Sequence, residues 1–149
     1  MEVDPHVVHV AIRWLHVAAM ASAFGGAVTV FALSIRPGTD SAGAVLGVAI
    51  RYEWLFWAAA GVLAMTGIGN LAAFGAGLLG PSTNWGTTLL LKLGSVLTLV
   101  VLSLPRTLAV ARTSATSIGT GLIALRNLYA ATTAAFAVIL AFAIWLAHG

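Results

Sequence analysis

The chain reads as long apolar runs separated by short polar breaks. A helix that crosses a bilayer needs roughly 20 mostly apolar residues, and four runs meet that length. The first extends from about Val7 to Ile35 and stops at Arg36-Pro37-Gly38, a strong helix break. It is longer than a hydrocarbon core requires, so its first turns are expected at the interface or beyond it. Thr39 to Ile50 is a short apolar, Gly-containing stretch, either a surface helix or the prelude to the second span. That span runs from about Trp54 to Phe74, behind Arg51-Tyr52-Glu53, and Gly75 to Asn84 is a loop of Gly, Pro, Ser and Asn. The third span, Trp85 to Leu104, ends at Pro105-Arg106 and gives way to a polar connection, Thr107 to Gly121. The fourth runs from about Leu125 to Ala147. No run alternates with period two, as the strands of a membrane barrel would. Inside lipid every backbone polar group needs an internal partner. The pattern therefore predicts an all-α integral membrane protein: a single domain, residues 1–149, folded as a four-transmembrane-helix bundle.

Composition agrees. Of the 149 residues, 60% are hydrophobic and only 7% charged, against about 25% charged in a soluble domain. Such a chain cannot cover a water-facing surface, and its expected surroundings are a lipid bilayer. Cys is absent, which removes disulfides, thiolate metal sites and redox cysteines. The net charge of +3 is small and no basic tract is interleaved with aromatics, so nucleic-acid binding has no support. The start, Met1 to His6, is acidic, whereas a secretory signal needs a basic region and a short apolar core. The first apolar run is expected to be a retained membrane helix.

The arginines orient the bundle. Arg36 and Arg51 lie between spans one and two, and Arg106, Arg112 and Arg126 between spans three and four; the connection between spans two and three has no Lys or Arg. The positive-inside rule then predicts a multi-pass protein of the inner (cytoplasmic) membrane with both termini on the periplasmic side. Trp14, Trp85 and Trp145 fall near the outer ends, and Tyr52, Trp54, Trp57 and Tyr129 near the inner ends, as two aromatic belts would.

This topology gathers the nitrogen donors. His6, His9, Arg13 and His16 lie at the outer end of span one, Lys92 in the outer half of span three, and His148 at the outer end of span four. Ionisable side chains in apolar segments are functional-site hypotheses by default. His6 and His148 also read as ordinary solvated residues at helix ends. Lys92 lies about 10 Å into its span by helical rise, within snorkelling reach of the interface. No carboxylate is expected at its level, since Asp40 and Glu53 fall at the opposite end. His16 pairs in depth with Lys92 when counted from the outer ends, and with His148 when counted from the inner arginines. Imidazoles on facing helices of a bundle suit a b-type haem, which takes axial nitrogen ligands. Ala18, Ala19, Ala21, Ala23, Gly25 and Gly26, with Gly61, Gly67 and Gly69 in span two, would leave a cleft for it, although small residues also serve plain helix packing. Arg13 suits haem propionates. The competing metal is copper, bound by His6, His9 and His148 with Met20 or Met65 nearby.

Trp14-Leu15-His16 followed by Phe24-Gly25-Gly26 resembles the first helix of the copper-resistance D family of membrane proteins. Arg51, Thr66-Gly67, Trp85-Gly86 and Leu90-Leu91-Lys92-Leu93 resemble the core of that domain, over roughly residues 12–112. The same ordered set is similar to the four-helix protoporphyrinogen oxidase family. That resemblance implies haem b, with a first-helix histidine and a third-helix lysine as the functional pair; by position these are His16 and Lys92. The chain departs from the oxidase pattern by reading Ser22-Ala23-Phe24-Gly25-Gly26 in its first helix. The expectation is a small haem b-binding membrane protein with a redox or electron-transfer role near the periplasmic face. His16 would be an axial ligand, Lys92 or His148 the second, and Arg13 a propionate contact, with His9 nearby. A copper-binding or transport module and a protoporphyrinogen oxidase-like enzyme are the alternatives. A redox partner is implied but not identified, and the apolar faces would also support a homodimer.

Overall fold

The computed structural model describes residues 4–35, 42–72, 80, 82–116 and 118–148, without the side chains of 5, 70–72, 114–116, 118–120, 147 and 148. Four helices account for nearly all of it: α1 (Pro5–Ile35), α2 (Ala42–Ala72), α3 (Asn84–Thr116) and α4 (Ile118–His148). Each contains a stretch long and apolar enough to cross a bilayer, and among the described residues there is no strand. The protein is an all-α, multi-pass membrane bundle.

Local chemistry sets the helix starts. Asp4 Oδ1 accepts from the His6 amide at 2.9 Å, and the Val7 amide reaches Asp4 O at 3.0 Å. Thr83 Oγ1 accepts from the Gly86 amide at 3.0 Å. Both supply acceptors to first-turn amides that have no partner within the helix.

Two boundaries differ from those expected. The stretch before the second span is the first part of α2, which begins at Ala42. Pro105 does not end α3, which continues to Thr116, and α4 begins at Ile118, so the described residues of the expected polar connection are helical. A proline removes one donor and crowds the preceding turn, but membrane helices tolerate it where neighbouring groups hold the backbone. Here Arg106 and Thr107, directly after Pro105, are both bonded to Glu53 of α2.

α1 packs along α2 and α4, and α3 chiefly along α4, while α2 and α3 touch less. Partner pairs give the directions. Ala23 meets Tyr52 while His16 meets Thr66, so α1 and α2 are antiparallel. Arg106 meets Thr132 while Gly121 lies against Thr113, so α3 and α4 are too. The core is lopsided. Its outermost apolar members toward the chain termini are Ala23, Ala59, Leu99 and Ile139; beyond them no described apolar side chain is fully buried. On the other side it is dense and aromatic. Tyr52 and Tyr129 stack edge to face with centroids 5.5 Å apart, and Phe136 meets Phe24 and Phe56 at 6.0 and 6.3 Å. Gly26 makes this possible: a Cβ there would sit 2.5 Å from Tyr52 Cδ2. Its absence lets α1 approach closely enough for the Tyr52 hydroxyl to donate to Ala23 O at 3.0 Å.

Candidate functional site

Two polar centres lie inside the bundle. The first is built on Glu53 of α2. Arg106 of α3 donates to it twice, Nε to Oε1 at 2.8 Å and Nη2 to Oε2 at 3.2 Å. The Tyr129 hydroxyl of α4 donates to Oε1 at 2.7 Å, and Thr107 Oγ1 to Oε2 at 2.6 Å. Arg106 Nη1 donates to Thr132 Oγ1 at 3.1 Å, and Trp57 Nε1 to Thr107 Oγ1 at 3.1 Å. The guanidinium also lies 4.3 Å from the centre of the Phe56 ring, a favourable cation–π distance. Arg106 is 1% exposed and Glu53 5%. A buried ion pair is stable only when its geometry is good and its remaining polar atoms are bonded. Here the carboxylate accepts four hydrogen bonds, two from a bidentate guanidinium. The carboxylate's acceptor sites are filled and the pair is buried, so we read this centre as structural.

Three expectations change as a result. Arg106 is a core residue and not a charge of an exposed connection. Tyr52 and Tyr129 are buried and belong to no interfacial belt, and Trp57 is half-buried on Thr107; Trp54, 78% exposed, fits the belt. The missed signal was periodicity. Leu99, Ser103, Arg106 and Val110 form the buried stripe of α3, at the spacing of one helical face. Counting Arg106 as that stripe's member would have pointed it inward, toward the lone carboxylate of an apolar helix.

The second centre lies toward the chain termini. His16 of α1 is half-buried, and its Nδ1 is 2.8 Å from Thr66 Oγ1 of α2. Gly67 follows, and a Cβ there would lie 3.8 Å from His16 Cε1. Lys92 of α3 is half-buried and close enough to His16 for the two to interact electrostatically. No carboxylate among the described residues pairs with Lys92. Lys92 and Arg106 lie about 21 Å apart along α3 by helical rise, so Glu53 cannot serve both.

The other expected site residues are dispersed. His9 is half-buried on the same stripe of α1 as Ile12 and His16, while Arg13 and His6 are exposed. Ile12 packs against Gly69. His148 ends α4, and its side chain lies outside the described residues. Met20 packs on the core and Met65 is 78% exposed. Among the described residues no group of three His, Asp or Glu side chains forms a ready-made metal site. The structure joins His16 to Thr66, a residue with no expected chemical role, and leaves Lys92 within electrostatic range of His16. No family model, no curated protein and no solved structure matches the chain.

Proposed function

We propose that this is a small membrane protein that binds a b-type haem through His16 and has a redox or electron-transfer role. One observation carries the reading: a hydrogen-bonded imidazole and, within electrostatic range of it, an amine with no ion pair among the described residues lie in the part of the bundle that lacks a packed core. The donors suit the group. Imidazole is a common axial haem ligand, and its second nitrogen is usually held by a hydrogen bond to the protein. Gly67 keeps bulk away from the ring edge. His16 is the first ligand, and Lys92 or His148 supplies the second nitrogen. Arg13, exposed one turn nearer the N-terminus, is available to propionates at headgroup level. Bound haem would supply one-electron chemistry; the chain supplies ligation, orientation and an apolar surround.

The resemblance to the copper-resistance D and four-helix protoporphyrinogen oxidase families supports the same pair of residues. Exposed Arg51, Arg112 and Arg126 at the opposite end of the bundle support the orientation, with the haem end periplasmic and the protein in the inner membrane. An oxidase activity is the narrower form of this proposal. Purification in detergent followed by absorption spectroscopy tests it. We expect haem bands, either native or after haemin addition, that His16→Ala abolishes. A colourless protein that takes up no haemin overturns the reading, and stoichiometric copper in its place would favour the metal-handling alternative.

A further inference from the structure

The hydrogen bonds around Thr66 decide which nitrogen of His16 is free. A threonine hydroxyl has one proton to donate and lone pairs to accept with. Thr66 Oγ1 lies 2.6 Å from Val62 O and 2.8 Å from His16 Nδ1. A carbonyl oxygen only accepts. Two oxygens approach to about 2.6 Å only with a proton between them, so the threonine proton is directed to Val62 O. Toward His16 the hydroxyl is then an acceptor, and Nδ1 must be the nitrogen that carries hydrogen. In the neutral ring the lone pair consequently resides on Nε2.

We infer that Thr66 is a positioning residue: it holds His16 in the Nδ1–H tautomer and makes Nε2 the ligating nitrogen. The hydrogen bond made by one ring nitrogen generally determines which form the other takes, and second-shell partners of this kind also fix the ring's orientation. Thr66 is well placed for this. It is 8% exposed, its oxygen is anchored to its own helix, and Gly67 leaves the adjacent ring edge uncovered. The identity of the ligand at Nε2 rests on the haem proposal; the tautomer does not.

Nitrogen-15 NMR of the histidine rings in detergent, with His16 assigned by its loss in His16→Ala, reads the tautomer directly. The ligand-free protein should show a protonated Nδ1 and an unprotonated Nε2. Thr66→Val, which keeps shape but cannot accept, should mix or reverse the two forms, and Thr66→Ser should restore them. Haemin titration of the same variants should show a loss of about 10- to 100-fold in affinity for Thr66→Val, with Thr66→Ser near wild type. An Nε2–H ring in the wild-type protein overturns the inference without need of any variant, and so does an unchanged tautomer in folded Thr66→Val. The expected tautomer in a protein that binds no haemin would uphold the inference and overturn the haem reading instead.

Discussion

The Glu53 and His16 centres use similar materials to opposite ends. Each bears on three helices, and each places a basic side chain in an apolar setting, Arg106 fully buried and Lys92 half-buried. Around Glu53 the acceptor sites are filled: a bidentate guanidinium, a phenol and a hydroxyl converge on one carboxylate, with an aromatic ring against the guanidinium. Around His16 the chemistry is left incomplete. Lys92 has no counter-ion among the described residues, and the ring is engaged through Nδ1 alone. A saturated polar cluster spends its binding capacity on the fold, whereas an unsaturated one keeps capacity for something else. The packing follows the same division, since the dense core surrounds Glu53 and stops short of His16.

Substitutions can break this comparison. The largest effect is expected at Arg106. Arg106→Ala leaves Glu53 charged and buried without its main partner, a loss of about 3–5 kcal/mol, read as a lowered unfolding midpoint in detergent. Replacing the pair jointly, Glu53→Met with Arg106→Met, should recover most of it, because well-packed apolar side chains often match a buried ion pair. Equal losses in the single and joint variants would contradict a charge-pairing role. A smaller loss is expected for Gly26→Ala, whose methyl would meet the Tyr52 ring; overpacking of this kind costs about 1–3 kcal/mol in the same measurement. The smallest effect belongs to the other centre. Lys92→Met should leave stability within about 0.5 kcal/mol of wild type, and a loss on the scale of Arg106→Ala would show that Lys92 is structural too.

The four helices were legible because length and apolarity alone demand them. Their true extents were not. Pro105 reads as a stop in a linear sequence, and only the bonds from Arg106 and Thr107 across to α2 show why the helix carries on. The Glu53 centre escaped for a related reason. A charge at the edge of an apolar run looks like a topology marker, and burial depends on which face a residue occupies once helices are paired. For His16 the residue itself was legible, and its depth relative to Lys92 and His148 was not. Depth counted from the outer ends and from the inner arginines disagrees; in the structure Lys92 lies within electrostatic range of His16, and the side chain of His148 lies outside the described residues. Thr66 gave no signal beyond its place in a Thr-Gly pair, since a threonine in a membrane helix usually bonds only its own backbone.

The Glu53 cluster also imposes a timetable on biogenesis. Synthesis completes α2, with its carboxylate in the midst of an apolar helix, before Arg106 or Tyr129 exists. A lone acidic side chain at the centre of a spanning helix costs about 2.5–3.5 kcal/mol on insertion. α2 is apolar enough to span alone, but its carboxylate gains its partners only when α3 arrives with the guanidinium and α4 with the phenol. The fourth helix in this sense secures the second, made much earlier.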